Sequence, residues 1–261
     1  MPQLNDGSVA VVTGAGRGIG RVIAIRFARE GSDVVLAARS VDGMKETAAE
    51  IEALGRRALV VPTDLTDREQ VERLGTTALA EFGRVDTLVA NSGTGGPVAP
   101  MWEIEPDEWD ETFAVNVRGT YLSCRAFMPQ MVERGSGSVV IIGSMTGKRP
   151  LPNRTPYSAS KMALVGMART LALDAGPHGV RVNIVSPGPV EGERIAWVVE
   201  NLAKSKGITE EQAEAELVAA SPLGRFVKPN DIASAAVYLA SDEAASITGE
   251  DMNVSAGVVM Y

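Results

Sequence analysis

Apolar and polar positions along this chain follow two patterns, one typical of buried strands and the other of amphipathic helices. Continuous apolar, β-branched runs occur at 9–13, 33–38, 57–62, 87–91, 138–144, 181–186 and 251–255. Such runs are typical of strands buried on both faces of a parallel sheet. Helical patterns separate them at 21–30, 42–54, 68–82, 108–134, 157–175 and 231–241. The alternation predicts an α/β protein with a Rossmann-type, doubly wound parallel sheet.

The segment between Pro187 and Pro222 breaks this alternation. It carries two helical patterns, at about 194–206 and 210–220, and no strand pattern. A capping box between Thr209 and Gln212 opens the second helix. A helical insertion at about 190–222, after a sheet strand, lies where a substrate lid would be expected, and a simple packing pair of helices fits the pattern equally well. Nothing else divides the chain, so residues 1–261 are predicted to form a single domain.

Composition and charge exclude several classes of protein. The net charge of -8 disfavours nonspecific binding to nucleic acid or to anionic membranes. No apolar run approaches the length of about 20 residues that crosses a bilayer, and the chain does not open with a signal sequence, so a cytoplasmic protein is expected. Cys124 and His178 are the single cysteine and histidine. No metal site, and no catalysis by a Ser-His or Cys-His pair, is therefore expected.

A glycine-rich turn follows the first predicted strand. The stretch TGAGRGIG at 13–20 has glycines at every second position from 14 to 20. Glycines here would let the backbone turn tightly and approach a dinucleotide pyrophosphate at a helix N-terminus. The spacing is not the common G-x-G-x-x-G, because Ile19 stands at the last glycine position counted from Gly14, and no P-loop lysine follows.

The end of the second predicted strand bears on the choice of cofactor. An acidic residue there would bond the adenine ribose and select NAD. This chain has Ala38 at that place, followed by Arg39 and Ser40. A 2′-phosphate could bind Arg39, with Arg17 of the glycine turn as a second cation, so NADP(H) is favoured and NAD(H) is possible. The alternative is that Arg39 is a solvated loop residue.

The stretch TPYSASK at 155–161 places a tyrosine and a lysine four residues apart. Thr155 is the predicted N-cap and Pro156 the first helical residue, so Tyr157 and Lys161 would share one helical face. A free phenol has a pKa of about 10, and a neighbouring ammonium lowers it, so Tyr157 could exchange protons near neutral pH. An ordinary amphipathic surface would produce the same pair, and the surrounding motifs must decide.

Several motifs, in this order, resemble those of the classical short-chain dehydrogenases/reductases. They are TGAGRGIG (13–20), DL (64–65), ANSG (90–93), Asn116, Ser144, YSASK (157–161) and SPG (186–188). The resemblance extends over nearly the whole chain. It implies a dinucleotide-binding catalytic domain in which a hydride passes between nicotinamide and a substrate carbon. It also implies a homotetramer, to which the apolar end VVMY (258–261) would contribute a subunit contact.

The resemblance implies four catalytic residues: Tyr157 as general acid or base, Lys161 on the nicotinamide ribose, Ser144 on the substrate oxygen and Asn116 anchoring a water. Asp64 would bond the adenine, and Val190 the nicotinamide carboxamide through its backbone. The complete set of expected cofactor contacts comprises Gly14, Gly16, Arg17, Gly18, Ile19, Gly20, Arg39, Ser40, Asp64, Leu65, Asn91, Ser92, Gly93, Tyr157, Lys161, Pro187, Gly188 and Val190. Two residues depart from the family pattern: Ala90 replaces a common asparagine, and Gly192 a common threonine.

The candidate substrate residues are cations close to the catalytic motifs: Lys148, Arg149, Arg154 and Arg194. On an acidic chain they could bind a carboxylate, phosphate or sulfonate, or else point to solvent or to another subunit. The expected substrate is a small polar ketone or secondary alcohol, anionic or sugar-derived.

Two other functions stay open. One is reduction of a 3-oxoacyl thioester on acyl carrier protein, which would need a basic patch formed by residues such as Arg118, Arg125 and Arg134. The other is noncatalytic sensing of nucleotides, which the fold alone cannot exclude.

Overall fold

The computed structural model describes residues 4–261, and the side chain of Arg194 lies outside the description. Seven parallel strands form one sheet: β1 (Val9–Thr13), β2 (Asp33–Ala38), β3 (Ala58–Pro62), β4 (Thr87–Ala90), β5 (Gly137–Ile142), β6 (Val180–Pro187) and β7 (Asp251–Val254). Their order across the sheet is β3-β2-β1-β4-β5-β6-β7. All seven coincide with predicted strands to within two residues at each end.

Helices cover both faces of the sheet, as in a doubly wound fold. One face packs against α1 (Gly18–Arg29), α2 (Val41–Ala53) and α10 (Pro229–Ala240). The other packs against α3 (Arg68–Phe82), α5 (Gly119–Arg134) and α7 (Thr155–Ala175). Each face has its own apolar core, and the five central strands between the two cores are buried on both sides, whereas the edge strands β3 and β7 are only partly buried. The predicted fold class is confirmed.

The chain reverses its direction of progress across the sheet between β1 and β4, which are paired neighbours. The carboxyl ends of parallel strands at such a switch point form a crevice that binds ligands. The turn after β1, the loop after β4 and the short helix α6 (Met145–Lys148) after β5 all lie at this edge. The topology therefore gathers the predicted site residues at one edge of the sheet.

The long helix predicted at 108–134 is interrupted. Helix α4 (Pro106–Phe113) is followed by a π-helical turn at Ala114–Arg118, and only then by α5. Asn116 lies in this turn and accepts a hydrogen bond from the Thr94 amide at 2.7 Å. The apolar period of the sequence cannot reveal this π turn, because the hydrogen bond that accompanies it comes from Thr94, in the loop after β4.

The predicted start of α7 is wrong by one residue. Thr155 is the first helical residue rather than the N-cap, and Arg154 occupies the N-cap without a side-chain capping bond. Pro156 then stands second in the helix. Its missing amide hydrogen costs nothing there, because the first four amides of a helix have no intrahelical acceptor.

The insertion between β6 and α10 forms two helices, α8 (Glu193–Lys206) and α9 (Glu210–Val218). They enclose a small apolar core of their own, which includes Val199, Ala213 and Phe226. The predicted capping box is confirmed by reciprocal bonds between Thr209 and Gln212. The role of this insertion as a substrate lid stays a prediction. Across residues 4–261, no helix has both the length and the apolar character needed to cross a membrane.

Candidate active site

Tyr157 and Lys161 lie side by side near the start of α7. The ammonium nitrogen of Lys161 is 5.8 Å from the centre of the Tyr157 ring. Lys161 is 5% exposed, and its Nζ donates a hydrogen bond to the Ile142 carbonyl at 2.9 Å. This bond ties the lysine to the carboxyl end of β5. The structure thus brings the predicted pair together and holds its cation at the switch-point edge of the sheet.

Asn116 joins the loop after β4 to α7. Its Oδ1 accepts from the Thr94 amide, and its Nδ2 donates to the Thr94 carbonyl and to the Ser160 hydroxyl, both at 3.0 Å. Ser160 in turn donates to the Tyr157 carbonyl at 2.8 Å. The side-chain amide therefore has both its hydrogens engaged by the protein. The main-chain carbonyl of Asn116 accepts a hydrogen bond from the Thr120 hydroxyl at 2.8 Å, and its expected role in anchoring a water stays a prediction.

Ser144 follows β5 and is the N-cap of α6. Its Oγ accepts a hydrogen bond from the Thr146 amide at 3.1 Å, so its own hydrogen remains available for donation. A Cβ added to Gly147 would lie 3.2 Å from the Met162 amide nitrogen, which shows how closely α6 packs on α7. Ser144 is therefore held at the same edge of the sheet as Tyr157.

The glycine turn has the geometry expected of a pyrophosphate cradle. Gly14 and Gly18 have φ values of 68° and 54°, which L-residues with a side chain rarely adopt. A Cβ on Gly20 would lie 2.2 Å from the Gly14 carbonyl oxygen, so α1 can pack here only with glycine. No side chain caps α1, which leaves its first amides to bind an anion. The turn fits a dinucleotide.

Thr13 was not among the predicted site residues, although it opens the glycine-rich motif. It is fully buried, and its Oγ1 accepts hydrogen bonds from the amides of Asn91 and Ser92, at 2.9 and 3.0 Å. The Asn91 side chain returns a bond to the Thr13 carbonyl at 2.9 Å. Thr13 therefore holds the glycine turn to the loop after β4. The sequence did not reveal Thr13 because its hydrogen-bond partners are distant along the chain. Thr94 and Ser160, which bind Asn116, were missed for the same reason.

The expected adenosine end contains exposed cations beside the glycine turn. A Cβ on Gly16 would lie 3.5 Å from the Ser40 carbonyl oxygen, so the loop after β2 approaches the turn closely. Arg39 and Arg17 are exposed, and neither has an ion-pair partner between residues 4 and 261. Asp64 holds its own loop, its Oδ1 accepting from the amide and hydroxyl of Thr66. Leu65 is buried against α5, where a Cβ on Gly119 would meet it at 3.0 Å.

The expected nicotinamide end is closely packed. A Cβ on Gly93 would lie 3.2 Å from Asn116 Oδ1 and 3.5 Å from Lys161 Nζ, so only glycine keeps this space open. Gly188, which follows Pro187 at the end of β6, would similarly meet the Ser255 Cα at 2.7 Å. Val190 forms a parallel bridge with Val227.

The backbone amide and carbonyl of Val190 itself take no part in the hydrogen bonds of this bridge. The hydrogen bonds of the bridge run from Val227 N to Pro189 O and from Glu191 N to Val227 O. The amide and carbonyl of Val190 therefore point away from Val227, and among described residues they have no partner. This orientation agrees with the backbone contact that was expected for Val190.

The candidate substrate cations whose side chains the structure describes have different surroundings. Lys148 Nζ lies 2.9 Å from Asp251 Oδ2 in a nearly buried ion pair and donates to Asn253 Oδ1 at 2.7 Å. Because its charge is neutralised there, Lys148 is removed from the candidates. Arg149 is exposed, whereas the Arg154 guanidinium carbon lies 5.2 Å from the Tyr157 ring centre. Arg194 is in α8, with its side chain outside the described residues.

Comparisons with known proteins agree over almost the whole chain. A family model described as "Enoyl-(Acyl carrier protein) reductase" matches residues 14–259. A short-chain dehydrogenase/reductase of Armillaria gallica is 36% identical, over 98% of each chain. D-threitol dehydrogenase of Mycolicibacterium smegmatis is 37% identical, over 97% of this chain and 93% of the relative. The 3-oxoacyl-[acyl-carrier-protein] reductase FabG of Thermotoga maritima is 31% identical, over 98% of this chain and 99% of the relative.

Solved structures match the fold equally well. Carveol dehydrogenase from Mycobacterium avium in complex with NAD superposes with a TM-score of 0.93 at 28% identity, covering 99% of both chains. A single-residue variant of actinorhodin polyketide ketoreductase with NADPH has a TM-score of 0.92 at 33% identity, covering 99% of this chain and all of that one. The two structures hold different nicotinamide cofactors. The chain belongs to the classical short-chain dehydrogenase/reductase family and is an NAD(P)-dependent oxidoreductase of that type.

Proposed function

We propose that this protein transfers a hydride between NADP(H) and a small polar ketone or secondary alcohol, with Tyr157 as the general acid or base. The observation that carries the proposal is the contact between Tyr157 and the nearly buried ammonium of Lys161 at the switch-point edge of the sheet. We further infer that residues 1–261 act as one catalytic domain, with the insertion at about 190–222 as a substrate lid.

In this proposal, different residues bind the cofactor, orient the substrate and transfer the proton. The cofactor, when bound, supplies or accepts the hydride. Its pyrophosphate would lie on the glycine turn and the free amides of α1, and its nicotinamide between Gly93 and the backbone of Val190. Ser144 donates its hydroxyl hydrogen to the substrate oxygen and thereby orients it. Tyr157 then gives its phenolic proton to that oxygen during reduction, or takes one from the alcohol during oxidation.

Lys161 has two tasks in this scheme. Its positive charge favours the ionised phenol, so the proton can move near neutral pH. Its Nζ, which a hydrogen bond to the Ile142 carbonyl holds at this edge of the sheet, would also donate to the nicotinamide ribose. The carbonyl of Asn116 anchors a water that would return the proton to solvent.

The substrate class is proposed from two observations. One of the similar proteins is a D-threitol dehydrogenase, which favours a sugar-derived alcohol. The second observation is the position of the cations. Lys148 is paired with Asp251, which leaves Arg149 and Arg154 as the described cations that could bind an anionic group of the substrate. A panel of polyols, beginning with D-threitol, and of the corresponding ketoses and keto acids would be assayed with both cofactors.

A second candidate is reduction of a 3-oxoacyl group on acyl carrier protein, favoured by the family model's description and by the FabG relative. An acidic carrier needs exposed cations on the enzyme. Arg134, however, pairs with Asp86 at 2.7 Å, and Arg118 donates to the Thr66 carbonyl at 2.6 Å. Of the three arginines considered, Arg125 alone is exposed without such a partner among the described residues. We therefore place this function second.

Tyr157→Phe tests the catalytic proposal. Removing only the hydroxyl should lower turnover by about 10²–10⁴-fold, because proton transfer contributes that much, and should leave cofactor binding unchanged. Tyr121→Phe, at an exposed position on α5, is the matched control and should keep full activity. Turnover by the Tyr157 variant equal to that of the control would refute the assigned proton donor.

Arg39→Ala tests the preference for NADP(H). A charge-assisted hydrogen bond contributes about 1.5–3 kcal/mol, so the Kd for NADPH should rise about 10–100-fold while that for NADH hardly changes. Titration followed by nicotinamide fluorescence measures both constants. Arg29→Ala removes an exposed arginine at the far end of α1 and serves as the control. Equal loss of NADPH and NADH affinity in the Arg39 variant would exclude contact with a 2′-phosphate.

We infer a homotetramer from the same family membership. Exposed apolar side chains are found on α5 and α7 and at the C-terminus, namely Tyr121, Met162, Leu173, Met260 and Tyr261. Such surfaces are costly in water and are typical of subunit contacts. Light scattering on the purified protein measures the mass of the assembly, and a monomeric mass would refute this part of the proposal.

A further inference from the structure

A second cation contacts the proposed catalytic tyrosine. The guanidinium carbon of Arg154 lies 5.2 Å from the centre of the Tyr157 ring, and Lys161 Nζ lies 5.8 Å from it. Arg154 is the N-cap of α7, three residues before Tyr157, and Lys161 lies one helical turn after Tyr157 on the same face. The phenol therefore has a cation from each direction along the helix.

We propose that Arg154 is a positioning residue for Tyr157, holding the phenol ring and, together with Lys161, favouring its ionised form. The proposal rests on the proposed role of Tyr157 in proton transfer. A guanidinium suits this place because it is planar, remains charged at every relevant pH and packs well on an aromatic face. Arg154 is partly buried, so solvent weakens its field only in part.

Among the described residues, the charged groups on the elements that pack against α7 either pair with other groups or lie exposed on their own element. The elements that pack on α7 include α4, α6, the π-helical turn, β6 and the short helix at Gly176–His178. On α6, Lys148 pairs with Asp251. Arg118 of the π turn and Arg181 of β6 donate to backbone carbonyls. The acidic residues of α4 are exposed, and His178 is at the opposite end of α7. None of these groups takes the place of Arg154 over the ring.

The ionisation of Tyr157 can be measured without a substrate. Tyrosinate absorbs at longer ultraviolet wavelength than tyrosine, and the chain has four tyrosines. The pH-dependent difference between a protein and its own Tyr157→Phe version isolates the titration of Tyr157. This difference would be recorded for wild type and for Arg154→Met, which keeps an apolar stem and removes the charge.

A positive charge about 5 Å from the ring centre, partly screened by solvent, should change the pKa of the phenol by about 0.5–1 unit. We therefore expect Arg154→Met to raise the pKa of Tyr157 by that amount, and Arg154→Lys, which keeps the charge, to restore most of the shift. Arg149→Met is the matched control: it removes an exposed cation from the preceding loop and should leave the titration unchanged. Circular dichroism checks that each variant is folded, and Arg154→Gln replaces the methionine variant if that one is not.

Two results would overturn the proposal. The first is an unchanged Tyr157 titration in folded Arg154→Met or Arg154→Gln. The second is an equal shift in Arg149→Met, which would show a general effect of net charge. Because the titration needs no turnover, its outcome is separate from that of the proposed function, which the activity of Tyr157→Phe decides.

Discussion

Replacing Lys148 with methionine tests how firmly α6, the helix that Ser144 caps, is tied to β7. The side chains of Lys148 and Asp251 are 11% and 6% exposed, so water screens their 2.9 Å contact only weakly. The contact is an ion pair by distance, and no described group donates an aligned hydrogen bond to either Asp251 carboxylate oxygen. Lys148→Met therefore leaves a buried carboxylate without any compensating charge.

The expected cost follows from this burial. Removing one partner of a buried ion pair lowers the free energy of unfolding by about 3–5 kcal/mol, whereas replacing both partners with apolar side chains is often neutral. Lys148→Met should show the full loss. The double variant Lys148→Met/Asp251→Leu should return to within about 1–2 kcal/mol of wild type, because it removes the uncompensated charge.

Urea unfolding at one fixed protein concentration, followed by tryptophan fluorescence, measures these free energies. The control is Lys206→Met, which breaks the Lys206–Glu216 pair, where the two side chains are 50% and 47% exposed. It should cost less than about 1 kcal/mol, as exposed ion pairs do. A buried ion pair at this place would be refuted if Lys148→Met cost no more than this control, or if the double variant were as unstable as the sum of its single substitutions.

Two further predictions concern the glycine turn and the single cysteine. Gly20→Ala should abolish NADPH binding in a fluorescence titration, because its Cβ would lie 2.2 Å from the Gly14 carbonyl oxygen. Gly166→Ala is the control, since no atom lies within 4 Å of its new Cβ; binding by the Gly20 variant would contradict the clash. Cys124 should resist iodoacetamide until the protein unfolds, because burial raises the pKa of its thiol to about 12. Rapid alkylation of the native protein would refute this burial. The unfolded thiol ionises near its ordinary pKa of 9.0, so the free energy of unfolding should also fall as the pH rises above that value.

Local patterns in the sequence determined the elements of this protein and one part of its site. The boundaries of β1, β2 and α3 follow from the runs of apolar residues, because burial on one or both faces imposes a period that a short segment displays by itself. The Thr209–Gln212 capping box is equally local. The contact between Tyr157 and Lys161 also follows from spacing, since a helix places residues four apart on one face.

Tertiary structure decided which polar groups meet across the site. The π turn at Asn116 bonds Thr94, Thr13 bonds the loop after β4, and Lys148 is neutralised by Asp251. Each contact joins segments that are distant in sequence. They become neighbours only through the order of the strands and the reach of the Lys148 side chain from α6 to β7, and no period or spacing within one segment records that arrangement. The sequence could therefore nominate the cations near Tyr157, but only the folded chain shows that Lys148 pairs with Asp251 while Arg154 packs over the Tyr157 ring.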